Sequence, residues 1–419
     1  MSDTAGEAMM AFSMEPVVLV VFLVVYLGMI LGEIPGLALD RTGIALLGAI
    51  ALVVTGRMRP EAAWRAIDVS TLALLFGLMI LSAQFRLGGF YTEVTRRLAS
   101  WEARPAAFLG GVVGVAGLLS AVLANDIVCL AMAPLLIEGC SRRRLDPKPF
   151  LLALACAANV GSAATLIGNP QNMLIGQSLG LSFGSYTLDA LVPACLGLVV
   201  VWRVVIWRQA NGFALASDID RAPLPSPSFD RWQSAKALSI LFVLVAAFLV
   251  TSWPRDVLAL GAAGLLLSSR RMASRDMLVL VDWPLLLLFI GLFIVHGALD
   301  SSGSLGVMMD AVSKTGVAPA SPAVLFPLTA VLSNLVSNVP AVMLLLPYAQ
   351  GSLGGTVLAL SSTLAGNLIV VGSIANIIVI DQARRMGVRI DWREHARVGV
   401  PVTLATLALA WAWLALLGG

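Results

Sequence analysis

Ser120-Ala121-Val122-Leu123-Ala124-Asn125-Asp126 and Ser333-Asn334-Leu335-Val336-Ser337-Asn338-Val339-Pro340 interrupt two otherwise apolar runs of this 419-residue chain. At bilayer depth an amide, a hydroxyl or a carboxylate has no water to pair with and costs several kcal/mol unless it meets a partner. Such groups mark a pathway or a binding site.

The two stretches are copies of one another. A shift of 213 residues lays Leu119, Ser120, Asn125 and Pro134 on Leu332, Ser333, Asn338 and Pro347, and Leu72, Leu74, Leu75 and Phe76 on Leu285, Leu287, Leu288 and Phe289. A shift of 204 lays Leu154, Ala155, Gly168 and Asn172 on Leu358, Ala359, Gly372 and Asn376. Agreement at Asn, Pro and Gly in one register, rather than at leucines, carries the repeat.

With 59% hydrophobic and 12% charged residues and a mean hydropathy of +0.92, the chain belongs in a bilayer; soluble domains run near 45–50% apolar and about 25% charged. Its net charge of +3 is scattered over short loops, which argues against a nucleic-acid partner. The four cysteines, Cys129, Cys140, Cys156 and Cys195, stand singly and read as packing residues. No basic segment precedes the first apolar run, so no cleaved signal peptide is expected.

Apolar segments long enough to cross are expected at Pro16 to Leu37, Thr42 to Gly56, Val69 to Gln84 and Tyr186 to Ile206, with an amphipathic interfacial helix over Leu87 to Trp101. Ala106 to Leu123 and Ile127 to Ile137 read as arms joined at Ala124-Asn125-Asp126, either a re-entrant hairpin or two crossings. Phe150 to Gly180 is interrupted at Gly168-Asn169-Pro170-Gln171-Asn172, where proline removes a donor and unwinds a helix.

The second half repeats the plan: Ala235 to Trp253, Val257 to Ser268, Pro284 to Leu299, an interfacial Ser304 to Thr315, arms Ala323 to Leu335 and Ala341 to Tyr348, Thr356 to Ile380 broken near Gly372-Ser373, and Val398 to Leu417. Five crossings and one hairpin per half make an odd number, so the second half must be upside down. The expected fold is an all-α polytopic membrane protein of two inverted-topology repeats, each of about five transmembrane helices plus one re-entrant helical hairpin and a broken helix. Residues 16–208 form the first repeat, 209–234 a cytoplasmic linker and 235–419 the second repeat.

Arginine placement sets the orientation. Arg96, Arg97, Arg104, Arg142, Arg143, Arg144, Arg270, Arg271, Arg384 and Arg385 fall inside if both termini lie outside; the Arg57 to Arg65 loop runs against this.

The chemistry is expected where hairpin tips face helix breaks near the midplane. There, helix amino ends offer amides to an anion, while freed carbonyls and Asn or Ser oxygens coordinate Na⁺. The candidate site residues are Asn125, Asp126, Thr165, Gly168, Asn169, Gln171, Asn172, Asn334, Ser337, Asn338, Gly372, Ser373 and Asn376. Asn125, Asp126, Asn172, Asn338 and Asn376 are candidate Na⁺ ligands. Asp126, whose repeat mate is Val339, either binds a cation or carries a proton, or it caps a helix starting at Ile127. For the amides the competing reading is interhelical bonding that holds a broken helix together. His296 reads as a satisfied contact near Asp300, and His395 as one of the inner-loop charges. No cluster has metal-ligand spacing and no loop carries a nucleotide-binding signature, so no cofactor is expected.

At these residues the chain resembles the ion transporter superfamily: divalent anion/sodium symporters, arsenite permeases and NhaD-type sodium/proton antiporters, with their citrate-transporter-like domain. Asn125-Asp126 followed by Pro134 is similar to the first hairpin of arsenite permeases, and Ala158 through Asn172, with its Ala164-Thr165-Leu166-Ile167-Gly168 core, to a segment shared across the superfamily. Ser337-Asn338 with Pro340 and Pro347 resembles the second hairpin, and Gly366-Asn367 through Asn376 its broken helix. The resemblance implies a scaffold and a moving transport domain. Dicarboxylate symporters carry Ser-Asn-Thr at both tips, whereas this chain has Ala124-Asn125-Asp126 and Ser337-Asn338-Val339.

The expectation is a secondary active transporter, not an enzyme, in a prokaryotic inner membrane. It would carry small inorganic anions or oxyanion acids, arsenite or antimonite first, coupled to H⁺ or Na⁺, with a homodimer as a candidate assembly. The alternatives are a Na⁺-coupled di/tricarboxylate or sulfate symporter and a Na⁺/H⁺ antiporter. A channel would need polar groups along its whole length, and an enzyme a partner for Asp126; neither is evident in the sequence.

Overall fold

The computed structural model describes residues 15–32, 38–209, 212–213, 228–304, 306, 314 and 318–418. Most of the expected linker, the interfacial stretch from Ser304 to Thr315 and the end of the first expected span lie outside the described residues.

The first half comprises α1 (Pro16–Leu31), α2 (Arg41–Val54), α3 (Pro60–Ala66), α4 (Val69–Leu87), α5 (Phe90–Ser100), α6 (Pro105–Val122), α7 (Asn125–Arg142), α8 (Pro147–Ser162), α9 (Pro170–Ser178) and α10 (Phe183–Arg208). The second comprises α11 (Arg231–Val250), α12 (Arg255–Leu267), α13 (Ser274–Val279), α14 (Trp283–Ser301), α15 (Pro322–Val336), α16 (Asn338–Leu345), α17 (Gly354–Ala365), α18 (Ile374–Arg385) and α19 (Trp392–Gly418). No strand occurs among the described residues. Helix starts are written in the sequence: prolines open α1, α3, α6, α8, α9 and α15, where the missing N–H is no loss. Asp68 and Asp282, which match at a shift of 214 and not at the 213 read for the neighbouring leucines, cap α4 and α14 by accepting from the Thr71 and Leu285 amides.

α4, α6, α10, α11, α14 and α19 are each long and apolar enough to cross a membrane. Side chains such as Leu23, Leu27, Leu118, Phe242, Val243 and Leu404 stay exposed, which suits lipid and not water. Helix α16 and the 3₁₀ turn that continues it, Asn338–Tyr348, span roughly 17 Å against a core of about 30 Å, too short to cross and in keeping with a re-entrant arm. At the first hairpin, Arg143 beyond α7 donates to the Trp101 carbonyl just before α6 (3.1 Å), and the Asn125 amide at the tip meets the Gly168 carbonyl in the α8–α9 break (3.2 Å). Helix α5, expected to be interfacial, is amphipathic and buries Tyr91, Thr95 and Leu98.

Which ends meet gives the directions. Thr42 at the start of α2 donates to the Pro284 carbonyl at the start of α14 (3.2 Å), so these two run parallel. At the far end of α14, Gly297 faces Met58 and Ala66; α4 therefore begins where α2 ends and runs back against it. Gly77 of α4 meets Ala259 of α12. The later parts of both reach the start of α11, through Gln84 to Gln233 (2.8 Å) and Lys236 to the Leu265 carbonyl (3.0 Å), so α4 and α12 are parallel. Helix α12, the copy of α2, thus runs opposite to α2: the repeats are inverted.

The inversion is visible at atomic contacts. Gly77 packs on Ala259 and its mate Gly291 on Ala45, and an added Cβ at either glycine would lie 2.7 Å from the facing alanine carbonyl carbon. Gly77→Ala and Gly291→Ala are expected to cost about 1–3 kcal/mol each by overpacking, seen as a lower Tm in detergent. Gly264→Ala, with nothing within 4 Å of the new methyl, should leave Tm unchanged or slightly raised; equal Tm for all three would show that the close approach does not join the halves.

Candidate functional site

Between Ser162 and Pro170, and between Ala365 and Ile374, the chain leaves the helix and frees its backbone groups inside the protein. One asparagine closes each gap. Asn172 Nδ2 donates to the Ser162 and Thr165 carbonyls (3.4 and 3.0 Å), and Asn376 Nδ2 to the Gly366 and Ile369 carbonyls (2.8 and 3.2 Å). The spacing back to those carbonyls is the same in both halves. The restarts are capped by the previous candidates: Asn169 Oδ1 accepts from the Asn172 amide (2.9 Å) and Ser373 Oγ from the Ala375 amide (3.2 Å). The first break begins earlier than its Gly168 to Asn172 reading, because Pro170 opens α9 instead of ending a helix.

Two residues link the halves. Asn159 donates to Asn376 Oδ1 (3.3 Å) and Asn367 Oδ1 (2.8 Å) and accepts from Ser373 Oγ (2.8 Å) and Asn125 Nδ2 (3.3 Å). Its mate Thr363 donates to Asn172 Oδ1 (3.2 Å) and accepts from Asn169 and Gln171 (3.3 and 3.2 Å). Each half's break is therefore held by the other half's preceding helix. Neither Thr363 nor Asn159 is among the sequence candidates; the 204-residue shift lays one on the other, and that polar-on-polar match is the signal that could have found them.

The hairpin tips dock on the same network. With its amide oriented to satisfy both ends, Asn338 donates to Ser333 Oγ (2.8 Å) and the Gly372 carbonyl (3.1 Å) and accepts from Gln171 Nε2 (3.2 Å). Asn334 donates to the Ala365 carbonyl (3.0 Å), while Thr165 donates to the Ala121 carbonyl, so each tip is tied to its own break. Glycine is required at Gly168, where an added Cβ would lie 2.3 Å from the Ser162 carbonyl oxygen, and at Gly372, where it would meet Asn334 Oδ1 at 2.6 Å. Ser337 joins α15 to α16 at φ +77°, a strained left-handed value for a residue with a side chain.

Asp126 does not cap. Helix α7 begins at Asn125 with Ala124 at the cap position, so Asp126 sits in the first turn, half-buried and without a hydrogen bond among the described residues. The positive helix end is its stabilising neighbour. Asn125 Oδ1, Ser120 Oγ and Asn334 Oδ1 are buried oxygens with no partner. Helices α7, α9, α16 and α18 all point their amino ends toward this network. Among the described residues it contains no lysine or arginine. Thus Asn125, Thr165, Gly168, Asn169, Gln171, Asn172, Asn334, Asn338, Gly372, Ser373 and Asn376 come together; Asp126 and Ser337 sit at the tips without side-chain bonds to them.

The two histidines differ from their sequence readings. His395 is buried, not a loop charge, and its Nε2 lies 3.1 Å from the Asn367 carbonyl. Tyr186 occupies the matching place, donating to the Ala163 carbonyl (2.7 Å) and accepting from Asn172 (3.0 Å). His296 does not bond Asp300, and its Nδ1 is buried without a partner.

Thr363→Val keeps shape but leaves the Asn169, Gln171 and Asn172 amides short of a partner. It should lower stability by about 1–3 kcal/mol and transport more than Thr363→Ser does; a Thr363→Val protein with unchanged Tm and flux would remove Thr363 from the link.

The sequence profile of the citrate transporter family matches residues 9–357. The silicon efflux transporter LSI3 of rice (Oryza sativa subsp. japonica) is 29% identical, over 90% of this chain and 93% of its own length. The inner membrane protein YbiR of Escherichia coli (strain K12) is 31% identical, over 84% and 87%. The crystal structure of the Alcanivorax borkumensis YdaH transporter superposes with a TM-score of 0.59 over 95% of this chain and 97% of that one, at 15% identity, a likeness of fold. The chain belongs to the citrate transporter family within the ion transporter superfamily, and it is a membrane transporter, not an enzyme.

Proposed function

We propose that the chain is a secondary active transporter of small inorganic oxyanions or their neutral acids, with arsenite and antimonite as the first substrates. The observation that carries this reading is the make-up of the network: amides, hydroxyls, converging helix amino ends and one carboxylate at a tip, with no basic side chain. A tricarboxylate brings several negative charges, and Asp126 adds another; an uncharged hydroxy acid brings donors and acceptors that amides pair with at no Coulomb cost. Arsenous acid is neutral at pH 7, and so is silicic acid, the aqueous form of the element named for the rice relative.

Coupling to H⁺ runs through Asp126 in this reading, and coupling to Na⁺ through Asp126 with the unpaired Asn125 oxygen. Asn172 and Asn376, whose amides are spent on closing the breaks, are helix-holding residues before they are ion ligands. Residues 16–208 and 235–419 act as the two repeats, with both termini outside the inner membrane. A second reading, Na⁺-coupled di/tricarboxylate or sulfate symport, is favoured by the unpaired Ser120 and Asn125 oxygens beside the Gly168 carbonyl, which suit a Na⁺ that would neutralise an anion.

The test is flux in proteoliposomes under imposed H⁺ or Na⁺ gradients. Saturable arsenite or antimonite movement that follows a gradient, and at least tenfold less of it in Asp126→Asn, is expected. Na⁺-driven citrate, succinate or sulfate uptake with no arsenite movement would replace it with the second reading, and non-saturating flux without a gradient would mean a channel.

A further inference from the structure

The two halves match at their glycines, caps and breaks, so a place where they differ is informative. Arg255, the first residue of α12, donates from Nη2 to the Gly176 carbonyl on α9 at 2.6 Å. Gly176 leaves a flat face for the guanidinium: an added Cβ would lie 3.3 Å from Nη1. Helix α9 also packs along α4, the partner of α12, so the second arm of the first broken helix is fastened to the α4–α12 pair. Arg255, Gln177, Ser70 and Thr251 line a cavity of about 510 Å³ at this junction.

The repeat assigns a mate to each partner. Arg41 opens α2 as Arg255 opens α12, in the register that pairs Ala45 with Ala259. Ile380 follows the cap Ser373 on α18 as Gly176 follows the cap Asn169 on α9. This second pair is not made. Arg41 has no hydrogen-bond partner among the described residues, its Nε is buried and unpaired, and α18 does not pack along α14 as α9 packs along α4.

We infer that Arg255 and Arg41 are alternating latches, one at each membrane face: Arg255 holds α9 in the state seen here, and Arg41 takes the Ile380 carbonyl on α18 in the opposite state while Arg255 lets go. This rests on the secondary-active-transport reading above, in which the substrate site opens to one membrane face at a time. The physical reason is symmetry: halves of one fold in different conformations reach the second state by exchanging those conformations, so a contact found in one half alone passes to the other. A guanidinium suits the task because it stays charged and keeps several donors, so it bonds a carbonyl when one arrives and water when it leaves.

The experiment uses the full chain with its four cysteines replaced. One pair is Gly176→Cys with Arg255→Cys, where the new side chain at 176 meets only flexible Leu166 methyl groups and the replaced arginine; the other is Ile380→Cys with Arg41→Cys. A short bifunctional thiol reagent should join the first pair in the resting protein. It should join the second only when an ion gradient, or a gradient with arsenite, drives the cycle, at the expense of the first. Separately, alkylation of a lone Gln177→Cys by a charged maleimide should quicken about tenfold when Arg255→Ala is added, a loss of one charge-assisted bond, and not when Arg41→Ala is added. A second pair that never joins in protein with normal flux, or alkylation indifferent to Arg255, overturns the latch alone. Exchange of the two pairs in protein that moves no solute overturns the transport reading and leaves the latch standing.

Discussion

A peptide group surrounded by lipid has no water to bond, and the gaps between Ser162 and Pro170 and between Ala365 and Ile374 expose several at once. The fold depends on how these are satisfied. Asn172 and Asn376 close their own gaps, and Thr363 and Asn159 then hold those asparagines from the opposite half. Each break is thus satisfied partly from its own half and partly from the opposite one, which ties the two breaks together. Gly77 on Ala259 and Gly291 on Ala45 bring the flanking helices close enough for that meeting.

The same arrangement underlies the site proposed above. Helix amino ends at Asn125, Pro170, Asn338 and Ile374 leave amides facing one small region, and an environment of dipoles without fixed cations favours a neutral or weakly charged solute over a highly charged anion. Asn159, Asn169, Asn172, Thr363 and Asn376 are each nearly inaccessible, and they bond one another as well as the carbonyls freed at the breaks. In the proposed reading, substrate entry breaks some of these bonds, which would tie binding to rearrangement.

Much of this was legible in the sequence because its signals are local or periodic. Polar tips in apolar runs, Gly-Asn-Pro at membrane depth and matched Asn and Gly across two shifts located the hairpins, the breaks and the duplication, and the odd number of crossings per half implied the inversion. What escaped depends on contacts across the chain. Thr363 looks like one hydroxyl in a small-residue helix, and only packing shows it between Asn169, Gln171 and Asn172. His395 stands among arginines in the sequence yet turns inward to the Asn367 carbonyl, the mirror of Tyr186 at Ala163. Asp126 lies at the tip, but its capping alternative failed, since the helix starts at Asn125, two residues before Ile127, and Ala124 takes the cap position.

The central claim is that the halves are oppositely oriented in the membrane, and sidedness tests it most directly. Arg57 and its mate Arg271 lie exposed in equivalent loops after α2 and α12. With a single cysteine at either position in cysteine-free protein, an impermeant maleimide applied to intact cells should label one position and not the other, and inside-out vesicles should reverse the pattern. Labelling of both from the same side would contradict the inverted repeat and with it the joining of the two breaks into one site.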